Sequence, residues 1–85
     1  MIKQTTYKME INLLAFGQIA DITGKLQWKM PDVNNTDDLK QKLAARFPAL
    51  RAMKYSLAVN KKVISGNVAL DHDDTVALLP PFSGG

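Results

Sequence analysis

The spacing of apolar residues changes along the chain, and each spacing predicts an element. From Tyr7 to Phe16 the pattern alternates. Tyr7, Met9, Ile11, Leu13 and Ala15 fall on one face and Lys8, Glu10 and Asn12 on the other, which is the period of a strand. The polar face turns apolar at Leu14 and Phe16, and Gly17 ends the run. Ile19 to Gly24 reads as a short helical turn or loop closed by Gly24. Leu26, Trp28 and Met30 then alternate with Gln27 and Lys29, predicting a second strand stopped by Pro31 and a hairpin with a long connection.

Beyond Pro31 the period lengthens. Leu39, Leu43 and Phe47 recur every four residues with Ala44 beside them, an apolar stripe along one side of a helix, while Lys40, Gln41, Lys42, Ala45 and Arg46 lie off it. The helix has a start signal. Asn35 can accept from first-turn amides, and Asp37 and Asp38 sit at the positive end of the helix dipole. Pro48 disfavours helical geometry at Phe47 and marks the end, with Leu50 and Met53 on a second short turn. Three more strands follow: Tyr55 to Asn60 with Leu57 and Val59 on one face, Val63-Ile64, and Thr75 to Leu79, the last ended by Pro80-Pro81 because proline cannot donate to a ladder. Asp71 to Asp74 is a polar turn before the last strand. The order is β-β-α-β-β-β. A sheet that buries one face against a single amphipathic helix is an α+β roll, and the β-grasp fold is the usual form of this order, here with a mixed sheet of four to five strands. We divide the chain into residues 1–8, an extension or the start of the first strand, a domain over 9–81, and a tail over 82–85.

Composition narrows the function. With 85 residues there is room for one domain. The sequence has no cysteine, which excludes a disulfide framework, a zinc–thiolate or iron–sulfur site and a cysteine nucleophile together. The net charge is +3, but the cations are spread out, with Lys61-Lys62 the only adjacent pair and no interleaved aromatics. That reads as a solvated surface, so neither nucleic acid nor a membrane is expected as a partner. No apolar run approaches the roughly 18 residues that span a bilayer, and no signal-peptide series is present, so the expected location is cytoplasmic. His72, the single histidine, sits among Asp71, Asp73 and Asp74; a metal site would use these types, yet a polar turn uses them equally, and no metal or bound cofactor is expected. Ser56, Ser65 and Ser83 have no histidine neighbour and there is no phosphate-binding glycine loop, so the chain does not read as a self-sufficient enzyme.

What remains is the end of the sequence, Leu79-Pro80-Pro81-Phe82-Ser83-Gly84-Gly85. Two prolines stiffen the exit from the last strand. Two glycines make a thin arm able to pass through a narrow channel. Four residues from Phe82 reach at most about 13–14 Å, enough to enter another protein's active site. A carboxylate at the tip becomes an acyl donor once joined to adenylate, and attack by sulfur gives a thiocarboxylate, which holds sulfur without any cysteine.

The segments INLLAFGQIADITG, NTDDLKQKLAARFP, SLAVNKKVIS and LDHDDTVALLPPFSGG resemble the small-subunit family of molybdopterin synthase (the MoaD family), among the ubiquitin-like sulfur carriers. The likeness covers residues 9–85, and its most specific part is two apolar residues, two prolines, a short spacer and a terminal glycine pair. The resemblance implies that Gly85 is adenylated and thiocarboxylated and that Gly84 gives it access. It also implies that Phe16, Val63 and Leu79, with Pro80, Pro81 and Phe82, face a partner. The implied partners are the large synthase subunit, in a heterotetramer, and an adenylating enzyme of the ubiquitin-activating type that consumes ATP. Sulfur would then pass to a pterin precursor as its dithiolene. A thiazole-forming sulfur carrier, a ubiquitin-like protein modifier and a non-covalent β-grasp interaction module are the alternatives. The sequence departs from the family at Ala20-Asp21, where an Arg-Glu pair is frequent, and at Asp73, where the turn residue is commonly glycine.

Overall fold

The computed structural model describes residues 9–81. The elements in chain order are β1 (Glu10–Ala15), α1 (Gly17–Thr23), β2 (Gln27–Pro31), α2 (Thr36–Arg46), a 3-10 turn (Pro48–Ala52), β3 (Ser56–Val59), β4 (Lys62–Val63) and β5 (Thr75–Leu79). The strands form one mixed sheet in the order β2-β1-β5-β3-β4. β1 pairs antiparallel with β2 and parallel with β5. A parallel pair needs a crossover between its strands. Here that crossover contains α2, which covers one face of the sheet, and the result is the β-grasp arrangement.

The alternation in β1 does what its period dictates: Ile11, Leu13 and Ala15 are buried, while Glu10, Asn12 and Leu14 are half-buried on the other face. Val76 and Leu78 of β5 and Leu57 of β3 join them, and Leu39 and Leu43 of α2 close the layer from the other side. Trp28 and Phe47 meet edge to face at 6.3 Å along the border of this core. At the start of α2 the Asn35 side chain accepts from the Asp38 amide at 2.8 Å, as the sequence predicted. In return the Asp38 carboxylate accepts from the Asn34 amide and from Lys42. Those two contacts, the backbone one first, hold the Asp38 carboxyl below its ordinary pKa. Thr36 is fully buried and its hydroxyl accepts from the Val68 amide at 2.9 Å, so the loop ahead of β5 is stapled to the start of the helix.

The structure corrects several boundaries. Gly17 does not end an element; it begins α1, a two-turn helix that Gly24 closes in the left-handed conformation. β2 includes Pro31, which pairs with Glu10 at the edge of the sheet. β4 is Lys62–Val63 rather than Val63-Ile64, because Asn60 and Lys61, both at positive φ, make a two-residue turn that sets Val59 opposite Lys62. The Asp71–Asp74 turn joins no hairpin. It ties the start of β5 to β1: the Asp73 amide donates to the Glu10 carbonyl, and the Glu10 amide donates to His72 Nδ1. Asp73 takes φ 68°, so aspartate fills the left-handed position that suits glycine. The residues at 7 and 8 assigned to the first strand lie outside the described residues. Among the described residues, no helix is long and apolar enough to cross a membrane.

Candidate docking face and tail exit

α2 covers only one face of the sheet, so the second face is defined by the residues between the core positions. In β5 these are Thr75, Ala77 and Leu79, alternating with buried Val76 and Leu78. Strand register assembles them into rows. Leu14 pairs with Ala77, Ala77 with Ala58, and Ala58 with Val63, so one row crosses four strands. Ser56 pairs with Leu79 in the next row, beside Phe16 one residue past β1. Size decides the relief of this surface. The small side chains of Ala58 and Ala77 form a floor, while Leu14, Phe16 and Leu79 stand around it, leaving a hollow of about 430 Å³. Asn60, Lys61 and Thr75 form its polar rim. Phe16 and Val63 are 46% and 67% exposed, so two large apolar side chains on this face stay uncovered.

Leu79 leads directly into Pro80 and Pro81, and a contact across the fold sets their direction. Gly17 has φ +56°, and a Cβ at this position would lie 3.2 Å from Pro80 Cγ. Only glycine meets both demands without strain: it tolerates the left-handed backbone and leaves room for the proline ring. The start of α1 therefore holds the exit of the tail next to Phe16.

Of the residues the sequence singled out, Phe16 and Leu79 line the hollow, Val63 shares its face through the Ala58 pairing, Pro80 is half-buried and Pro81 exposed. Phe82, Gly84 and Gly85 lie outside the described residues. The hollow's lining has no acid, histidine or cysteine. Its floor and walls are apolar, with the Lys61 amine and the Thr75 hydroxyl at the rim. Among the described residues no group of three or more His, Asp or Glu side chains could hold a metal ion, and His72 Nδ1 already accepts a backbone hydrogen bond.

Compared with known families, residues 13–85 match the ThiS family. The chain belongs to the ThiS family. Two curated proteins are similar over nearly its whole length, both named molybdopterin synthase sulfur carrier subunit. That of Arabidopsis thaliana is 32% identical, covering 94% of this chain and 88% of the relative. That of Chlamydomonas reinhardtii is 30% identical, covering 91% of this chain and 100% of the relative. Among solved structures, small archaeal modifier protein 1 of Methanosarcina acetivorans superimposes with a TM-score of 0.76 at 18% identity, over 94% of this chain and 100% of that one, a likeness of fold.

In this ThiS-family chain, reading the sequence missed the centre of the hollow. Ala58 and Ala77 carry no signal of their own, and their adjacency depends on β5 lying between β1 and β3. The sequence placed Ala77 in the last strand but gave it no face. Gly17 was read as a stop; its contact with Pro80 joins residues 63 apart and has no local trace.

Proposed function

We propose that this chain is the sulfur-carrier subunit of a molybdopterin synthase, with Gly85 as its reacting residue. The observation that carries the reading is the pairing of an apolar hollow with a proline-stiffened exit at its edge, in a chain at least 30% identical to two proteins bearing that name. A partner seated on Phe16, Val63 and Leu79 lies beside the exit, and residues 82–85 then reach at most about 13–14 Å into it. The family match runs to residue 85, which includes the glycine pair.

In the proposed cycle an adenylating enzyme brings ATP. A Gly85 carboxylate oxygen attacks the α-phosphorus, a P–O bond forms and pyrophosphate leaves. The terminal sulfur of a persulfide on the sulfur donor then attacks the acyl carbon and AMP leaves, giving an acyl disulfide; a second thiol attacks the donor's sulfur, so that the thiocarboxylate leaves and the two thiols end as a disulfide. In the large subunit that sulfur adds to the pterin precursor, and water restores the carboxylate. The chain supplies the docking face and the acyl group, and the partners supply the acid–base chemistry.

Intact-mass measurement after incubation with the adenylating enzyme, ATP and a sulfur donor tests the reading. The expected product has one oxygen replaced by sulfur and, mixed with the large subunit, converts precursor to molybdopterin. Adding one residue after Gly85 should abolish both results. A chain that is charged with sulfur but gives no molybdopterin would feed another acceptor, such as a thiazole; ladders of lysine conjugates would mark a protein modifier.

A further inference from the structure

Among the described residues that line the hollow, Lys61 alone is charged, and the backbone beneath it is strained. Asn60 and Lys61 form the two-residue turn between β3 and β4, with φ 49° and 74°. A turn of this kind needs φ above zero at both positions, which is why asparagine followed by glycine is its usual sequence. Asparagine stands at the first position here, but the second is lysine, whose Cβ crowds the backbone in that conformation. The turn is fixed from β5: the Asn60 side chain accepts from the Thr75 amide and donates to Asp74, each at 2.9 Å. Lys61 is therefore held at the rim of the hollow, above its floor of Ala58 and Ala77.

The fold draws no contact from this cation. Lys61 is exposed, and the ion pairs among the described residues are Lys42–Asp38 and His72–Asp73. Asp74, the carboxylate tied to the turn, accepts from Asn60 through one oxygen and from the Asp71 amide through the other. Alternation separates Lys61 from its neighbour: Val63 shares the hollow's face opposite Ala58, so Lys62 turns to the other side of the sheet. The chain thus keeps lysine where glycine would sit with less strain, and the amine stands unpaired beside an apolar hollow. Backbone strain that brings no contact within the chain points to a use outside it.

We infer that Lys61 is a specificity-determining residue of the docking face, pairing with a carboxylate that the large synthase subunit carries next to the apolar side chain it seats in the hollow. The inference rests on the sulfur-carrier reading and names the chemistry of its docking contact. An apolar side chain alone fits many surfaces. A carboxylate placed to meet Lys61 selects among them, and a surface presenting its own cation there is repelled. The pair also fixes rotation. Lys61 and Thr75 stand at the end of the hollow where β5 begins, and Phe16 and Leu79 at the end where the tail leaves. Holding the first end by charge and the second by apolar contact leaves one orientation, in which the exit points at the acceptor.

The test uses the full chain carrying Lys61→Gly, Lys61→Glu or, as the control on the other face, Lys62→Glu. Binding to the large synthase subunit is measured by titration calorimetry at several salt concentrations, beside a melting curve of each variant. Lys61→Gly should weaken binding about threefold while melting at or above the parent's temperature, because glycine relieves the turn. Lys61→Glu should weaken it at least about tenfold at low salt, with the gap to the parent closing as salt rises. Lys62→Glu should stay within about twofold of the parent. Parent-like binding by Lys61→Glu would overturn the inference, and so would an equal loss in Lys62→Glu, which would reduce the effect to overall charge. A lowered melting temperature in Lys61→Gly would overturn it by giving the lysine a role in the fold. Tighter binding by Lys61→Gly would do so by making the amine a partner of the chain's own terminal carboxylate. A parent chain that does not bind the large subunit at all would instead sink the sulfur-carrier reading itself.

Discussion

Gly17 carries two constraints at once, and a single methyl group tests both. Gly17→Ala puts an L-residue at φ +56° and a Cβ 3.2 Å from Pro80 Cγ. The left-handed backbone alone costs about 1–2 kcal/mol, and the proline must also give way. The expected outcome in denaturant unfolding is a loss of at least about 1–2 kcal/mol, accompanied, on the sulfur-carrier reading, by slower charging of Gly85, because the exit of the tail shifts. Normal stability would show that the Gly17–Pro80 approach is not held in solution. Asp38 supports a prediction in pH. Its folded-state pKa is lowered by the Asn34 amide and by Lys42, so its contribution is complete above the unfolded carboxylate value and is lost as pH falls through the folded one. Below about pH 4 the melting temperature of the parent should therefore fall more steeply than that of Asp38→Asn. Parallel pH profiles would remove the linkage.

At the scale of elements, α2 was legible because its signals are local. Asn35 and Asp38 are three residues apart and form the cap; Leu39 and Leu43 are four apart and form the buried stripe. Asn35→Ala should cost about 1 kcal/mol, the typical value of an N-cap. Leu43→Ala should cost about 2–5 kcal/mol, since Leu43 is fully buried against the sheet. Thermal unfolding of the pair would rank them, and a cap loss equal to the core loss would contradict the burial argument. The elements that sequence placed imperfectly are those fixed from a distance. α1 opens on a glycine whose conformation answers to Pro80, and β4 takes its register from Asn60-Lys61. That turn is held by an Asn60 side chain that accepts from the Thr75 amide at 2.9 Å and donates to Asp74 at 2.9 Å. A window along the chain does not contain such partners. For the same reason Phe16 stood out as an apolar residue off the core face and Leu79 through the family resemblance alone, whereas the hollow's floor of two alanines did not stand out at all.

At the scale of the molecule, one strand serves two faces, and neighbouring residues should separate stability from docking. Leu78 is fully buried and points to the core; Ala77 points to the hollow and pairs with Leu14 and Ala58. Leu78→Ala should cost about 2–5 kcal/mol of stability while leaving the hollow's lining intact. Ala77→Phe should do the opposite. Ala77 is half-buried on the floor of an open hollow, where an aromatic side chain suits the strand, so stability should move by about 1 kcal/mol or less. The ring would fill the hollow, however, and affinity for the large synthase subunit should fall at least about tenfold, since a filled hollow has nowhere to seat a partner side chain. Titration calorimetry against that subunit, beside unfolding curves of both variants, measures the two effects separately. If Ala77→Phe bound as tightly as the parent, the partner would not use the hollow, and the tail would have to reach its acceptor from a carrier docked elsewhere.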